Sequence, residues 1–93
     1  MKLKVIYTVK EGVKQAYFEA LEASGAPDKV RAEDGCLQYE YRPAEGPDNE
    51  LYLYEEWTAP EKQKIHLTQP HMAVIKALKE QYALDTRLIR LDD

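Results

Sequence analysis

Residues Lys2 to Lys10 alternate: Leu3, Val5, Tyr7 and Val9 fall on one side, and Lys2, Lys4, Ile6, Thr8 and Lys10 fall on the other. A period of two marks a strand with one covered face. Glu11-Gly12 breaks it. Val13, Ala16, Tyr17, Ala20 and Leu21 then recur at i, i+3, i+4, i+7 and i+8, which predicts an amphipathic helix with one buried stripe. Ser24-Gly25 closes it, since Gly suits the position just past a helix end. Pro27 starts a short second helical segment through Lys29, Val30 and Ala32, ended by Asp34-Gly35.

Alternation returns at Cys36 to Arg42, with Leu37, Tyr39 and Tyr41 on one face and Cys36, Gln38, Glu40 and Arg42 on the other. Pro43 to Asn49 (PAEGPDN) is turn chemistry and predicts a hairpin loop. Glu50 to Trp57 is a third strand, with Leu51, Leu53, Glu55 and Trp57 on one side and Tyr52, Tyr54 and Glu56 on the other. Both faces carry large side chains, so both are expected to be covered, one by this chain's helices and one by a second copy. Thr58 is expected to cap the next helix, with Pro60 in its first turn and Glu61 three residues on. Thr68 reads as a second N-cap, with Pro70 just inside. Met72, Ile75, Lys79 and Tyr82, flanked by Val74 and Leu78, make the stripe of the last helix. Leu84 to Leu91 is a final strand, and Asp92-Asp93 is a charged end. The order β-α-β-β-α-β is that of a ferredoxin-like antiparallel sheet in the α+β class, spanning residues 1–93 as one domain.

Composition narrows the function. The net charge of −4 comes from 13 basic and 17 acidic residues with the signs interspersed. No basic stripe forms, so nucleic acid is not an expected partner. No apolar run approaches the roughly 20 residues that span a bilayer, and MKLKVIYTVKEG lacks a signal-peptide pattern; a cytoplasmic protein with no membrane partner is the expectation. A domain this small gains stability by oligomerising. Seven Tyr stand against one Phe, and a buried phenol needs a partner, so a wet pocket or a polar-tipped interface is suggested.

The unusual side chains crowd into Leu51–His71, which holds Glu55, the only Trp (Trp57) and both histidines, His66 and His71. A spacing of five puts the two rings about 140° apart on one continuous helix; a helix break between them would let them converge, but no third ligand is evident, which argues against a metal site. Cys36 reads as a small core residue. No nucleophile elbow, phosphate-cradling loop or dinucleotide fingerprint is present. Glu55, on an otherwise apolar face, is either desolvated with a raised pKa, paired, or an edge carboxylate reaching solvent. Each histidine is either a surface or capping residue or an acid–base group. Their proximity to Trp57 and Glu55 favours a pocket.

The run Arg31–Tyr41 (RAEDGCLQYEY) followed by Leu51–Leu78 resembles the antibiotic biosynthesis monooxygenase domain family. The resemblance rests on Glu33 ahead of Gly35-Cys36, on Tyr39, on Glu55-x-Trp57, and on His66 with His71. It covers nearly the whole chain. It implies a ferredoxin-like protomer, a homodimeric α+β barrel, and a pocket between sheet and helices. It also implies cofactor-independent oxygenation of a small phenolic or quinol-type substrate, with no metal. His66 would then be the base or orienter, Glu55 its partner or a buried carboxylate, His71, Tyr7 and Tyr39 polar contacts, and Trp57 a pocket wall. Two departures stand out: the first strand carries no Asn, and VIKALKEQ carries no His of the kind that heme-degrading relatives use as axial ligand. Two alternatives remain. One is an isomerase of a phosphorylated autoinducer-2-like sugar, with Arg31, Arg42, Arg87 and Lys62 as available cations. The other is a non-catalytic dimeric ligand-binding module.

Overall fold

Eight elements follow in the expected order in the computed structural model. They are β1 (Lys2–Val9), α1 (Lys14–Ala23), α2 (Ala26–Arg31), β2 (Cys36–Tyr41), β3 (Glu50–Trp57), α3 (Pro60–His66), α4 (Met72–Tyr82) and β4 (Ala83–Arg90). The structure describes residues 1–92, so Asp93 of the charged end lies outside the described residues. The strands form one antiparallel sheet ordered β2-β3-β1-β4. This is the ferredoxin-like arrangement, and the helices pack on one face of it.

The period of two decides that face. Along β3 every second residue is buried, namely Leu51, Leu53, Glu55 and Trp57. Opposite them across the ladder stand Tyr7, Val5 and Leu3 of β1. Tyr17 and Leu21 of α1, Val30 of α2 and Ile75 of α4 close over this surface to form the core. The helices leave β4 uncovered: seven of its eight residues are exposed, among them Leu84, Leu88 and Ile89. This strand is also a sheet edge.

The tyrosine excess divides between two places. Tyr7, Tyr17, Tyr39 and Tyr41 are buried in the core. Tyr17 stacks on Tyr82 with ring centroids 5.3 Å apart and meets Tyr7 edge-on at 5.9 Å. Its hydroxyl is buried without a hydrogen-bond partner. Tyr52 and Tyr54 lie half-buried on the other sheet face, where the ammonium of Lys4 sits 4.0 Å above the Tyr52 ring and the guanidinium of Arg42 sits 4.1 Å above Tyr54. Each outer ring therefore carries a cation from this chain.

Three local expectations are corrected. Leu37 does not join Tyr39 and Tyr41 on the buried face but is 61% exposed. The ladder shifts between Cys36 and Gln38, which pair with Trp57 and Glu56, so Leu37 is the extra residue of a bulge. Thr58 caps no helix: α3 begins after an extended Ala59, and Thr58 donates its backbone N–H to Gly35 O. Thr68 closes α3 instead of opening α4, its hydroxyl donating to the Ile65 carbonyl, and α4 starts only after His71. In both cases the proline after the threonine starts a turn without help from a side-chain cap.

Gly35 holds the close approach between the α2–β2 loop and α3. Its φ of +86° is a left-handed conformation, and a Cβ there would fall 2.5 Å from Lys62 Cγ and 2.9 Å from Thr58 Oγ1. Gly35→Ala is expected to destabilise the protein by about 1–3 kcal/mol. Urea denaturation with an unchanged midpoint would contradict this tight contact.

Candidate functional site

Glu55 and Trp57 are two apart on β3 and point the same way, into the layer under the helices. The indole Nε1–H donates to Glu55 Oε1 over 3.0 Å, and both residues are buried. Burial raises the Glu55 pKa; the indole hydrogen bond and the nearby His66 pull it back in part. Of the readings open for Glu55, the structure selects the desolvated carboxyl group and excludes the solvent-reaching one.

His66 ends α3 and is 2% exposed. Its ring lies tilted on Trp57 at 4.8 Å and meets Tyr39 at 5.7 Å. Its Nδ1 lies 3.0 Å from Glu33 Oε2. Of the two roles expected for Glu55, the structure has the buried carboxylate: the hydrogen-bond partner of His66 is Glu33, while Glu55 bonds Trp57.

Glu33 also receives the second histidine. His71 Nε2 lies 2.7 Å from the same Oε2 atom. A carboxyl oxygen has two lone pairs and can accept both imidazole N–H groups. The argument from a continuous helix, which kept His66 and His71 on different faces, does not hold for this chain. The helix breaks between them in the turn over Leu67–His71, and the turn swings His71 back. A third possible ligand is present after all, because Glu33, His66 and His71 bring one donor atom each to within 4.8 Å of one another.

Next to this cluster a cavity of about 340 Å³ opens between sheet and helices. Val5, Met72, Ile75 and Leu88 supply apolar wall, and Tyr7, Tyr39, Glu55 and His66 supply polar groups. Nδ1 of His66 is engaged by Glu33, while Nε2 has no partner among the described residues and belongs to a ring that lines the cavity. Burial holds the Tyr7 and Tyr39 hydroxyls well above the ordinary phenol pKa, so they remain neutral donors. Lys76 and Lys79 also line the cavity and form no ion pair among the described residues.

Four of the expected site residues, Tyr7, Tyr39, Glu55 and His66, are thus brought together around one cavity. Trp57 stands one layer behind, as the surface on which His66 rests, and is not a wall. His71 bonds Glu33 and does not line the cavity. The residues missed were Glu33, which entered the sequence reading only as part of a family-like string, and Gln63, Met72, Lys76 and Lys79. Glu33 precedes a strand start by three positions, and nothing in local periodicity assigns it a partner 33 residues away.

The sequence matches the antibiotic biosynthesis monooxygenase family over residues 4–78. Among curated proteins no sequence matches. Solved structures match along the whole chain. A Pseudomonas aeruginosa protein is 23% identical with a TM-score of 0.81, covering 99% of this chain and 91% of its own. A Mycobacterium tuberculosis protein is also 23% identical, with a TM-score of 0.72 and coverage of 100% and 97%. A Nitrosomonas europaea protein named as a candidate antibiotic biosynthesis monooxygenase is 14% identical, with a TM-score of 0.79 and coverage of 96% and 94%. At these identities the likeness establishes the fold.

Glu55 makes stability depend on pH. Its folded-state pKa is raised, so the folded protein holds this proton more tightly than the unfolded chain does. Its contribution is fully present below the ordinary carboxyl value of 4.5 and is lost as pH rises through the folded pKa. Glu55→Gln keeps an oxygen for the Trp57 N–H and removes the titration. Relative to this variant, the wild type is expected to lose stability as pH rises from about 4 towards neutrality. Parallel stability curves from chemical denaturation would contradict a desolvated Glu55.

Proposed function

Because the chain belongs to the antibiotic biosynthesis monooxygenase family, we propose that it is a cofactor-independent monooxygenase acting on a small phenolic or quinol-type substrate in the cavity between sheet and helices. The observation that carries this reading is the Glu33–His66 pair beside that cavity. Glu33 engages Nδ1 at 3.0 Å and fixes the ring, so that Nε2 is the basic nitrogen available to a bound molecule.

The chemistry asks little more of the protein. Nε2 of His66 takes a proton from the substrate hydroxyl or from an activated C–H group. The resulting anion is held by the neutral hydroxyls of Tyr7 and Tyr39, whose buried donors favour negative charge on a ligand over charge on themselves. The substrate anion supplies electrons to O2, one oxygen atom becomes a substrate carbonyl, and the other leaves as water: SH2 + O2 → S=O + H2O. The apolar side chains Val5, Met72, Ile75 and Leu88 lower the polarity around the anion. A cavity of about 340 Å³ suits a ligand at the small end of ordinary binding sites.

A second reading has one observation in its favour. The four cations singled out for a sugar phosphate are engaged by carboxylates: Arg31 by Glu22 and Asp28, Arg42 by Glu40 and Glu45, Arg87 by Glu50, and Lys62 by Asp34. Lys76 and Lys79 line the cavity instead and would attract an anionic substrate. Isomerisation of a phosphorylated sugar remains the alternative on that ground, and a non-catalytic binding module is the outcome if neither reaction occurs.

In this reading the working unit is a homodimer. The support is β4, an eight-residue edge strand whose unpaired backbone and exposed Leu84, Leu88 and Ile89 suit a second copy. Light scattering at micromolar concentration should give twice the mass of the 10.8 kDa chain; a monomer would contradict it.

The enzymatic reading is tested by oxygen uptake with a hydroquinone and anthrone panel in chelator-treated protein. His66→Ala is expected to lower kcat by about 10²-fold or more, and Glu33→Gln by about 10–100-fold. Turnover of a phosphosugar with no oxygen uptake would replace the oxygenase with the isomerase. Undiminished uptake in His66→Ala would remove His66 as the base.

A further inference from the structure

We propose that Glu33, His66 and His71 form a three-ligand site for a zinc-type divalent cation, adjoining the substrate cavity and sharing His66 with it. Two imidazole nitrogens and a carboxyl oxygen are a donor set that zinc accepts with an open fourth position. Glu33 Oε2 lies 3.0 Å from His66 Nδ1 and 2.7 Å from His71 Nε2, and all three donor atoms lie within 4.8 Å of one another. In a tetrahedral site with metal–ligand distances of about 2.0–2.1 Å, neighbouring donors sit about 3.3–3.4 Å apart. The two Glu33 contacts need to open by about 0.3–0.7 Å, and the two imidazole nitrogens, within 4.8 Å of each other, need to close to that spacing, which calls for rotation of both rings and of the carboxyl group.

The three ligands come from three places that the backbone holds independently. Glu33 sits in the loop after α2, its N–H donating to Val30 O. His66 ends α3, and its carbonyl accepts from Gln69 N–H. His71 precedes α4, and its carbonyl accepts from Val74 N–H. The donor atoms have no partners among the described residues other than one another. A cation would therefore replace two shared protons and break no other contact. A second cleft, of about 210 Å³, has Glu33 in its wall together with Asp34, Lys62, Ile65 and Gln69, none of which lines the substrate cavity. A water in that cleft would fill the fourth position. Lys62, the one cation there, is held by Asp34.

The site carries a consequence for the neighbouring cavity that rests on His66 being the base. A cation on Nδ1 forces the remaining proton onto Nε2, so the nitrogen facing the cavity becomes a hydrogen-bond donor and cannot accept a proton. Occupancy would switch the base off. Binding itself does not depend on that reading.

The test uses tag-free, full-length, chelator-dialysed protein and the metals alone. Co2+ is expected to bind with a stoichiometry of one, with the visible ligand-field bands of a low-coordinate N/O site, and Zn2+ is expected to displace it. His71→Ala and Glu33→Gln should each weaken Zn2+ binding by at least about tenfold, equivalent to about 1.4 kcal/mol, with folding checked by circular dichroism. The wild type offers a second readout that no variant failure can obscure: its only two histidines are both ligands, so Zn2+ must shift the ring resonances of both in NMR. Unshifted rings, or a Co2+ spectrum that His71→Ala leaves intact, would overturn the site. Oxygen uptake is not part of this readout, so failure of the oxygenase reading and failure of the metal site are told apart.

Discussion

One carboxyl oxygen organises this protein's interior corner. Glu33 Oε2 is the common partner of two imidazoles from opposite sides of a helix break. A single oxygen can satisfy both N–H groups only if the two rings converge from different directions. That requirement explains why α3 stops at His66 and α4 waits until after His71, and why the α2–β2 loop is drawn tightly against α3. Gly35, two residues along, supplies the left-handed turn that makes the approach possible. The ion pair of Asp34 with Lys62 and the Thr58 N–H bond to Gly35 O add further ties between the loop and α3.

Behind the node lies a layer whose polarity is set by desolvation. Trp57 supports His66 with its face and holds Glu55 with its N–H. The buried tyrosines surround them with hydroxyls that stay protonated, so the layer offers donors without adding charge. Phenylalanine would fill the same volume and present nothing to a ligand. The exception is Tyr17, whose buried hydroxyl has no partner; it gains from stacking on Tyr82 and from an edge-on contact with Tyr7, and the lone hydroxyl is a cost the aromatic packing offsets.

The fold was legible because its strands alternate almost without error. In β3, Leu51, Leu53, Glu55 and Trp57 all went to the face that the period of two assigned them, and α1 ended at the expected Ser24-Gly25, while α2 stopped at Arg31, short of Asp34-Gly35. Leu37 was misplaced because a bulge adds a residue and resets the count, and no local signal marks where a ladder will slip. Thr58 and Thr68 misled because threonine ahead of proline serves a turn as readily as a cap. At the site, residue type and position singled out Glu55 and His66, and the family resemblance added Tyr7 and Tyr39; all four line one cavity. Neither found Glu33's role or the convergence of His71. Those depend on a tertiary contact between a loop and two helix ends, and helical geometry applied to an unbroken helix pointed the other way.

The indole of Trp57 has a further implication. It is the chain's only tryptophan, it rests on His66 at 4.8 Å, and its N–H is bonded to a buried carboxyl group. Fluorescence excited selectively at the indole, beyond the absorption of the seven tyrosines, therefore arises from a single emitter seated at the site itself. Charge on the imidazole quenches an indole by electron transfer, and ionisation of Glu55 shifts its emission through the hydrogen bond. The molecule thus carries its own optical gauge of the state of its interior corner, readable at native concentration and without a label.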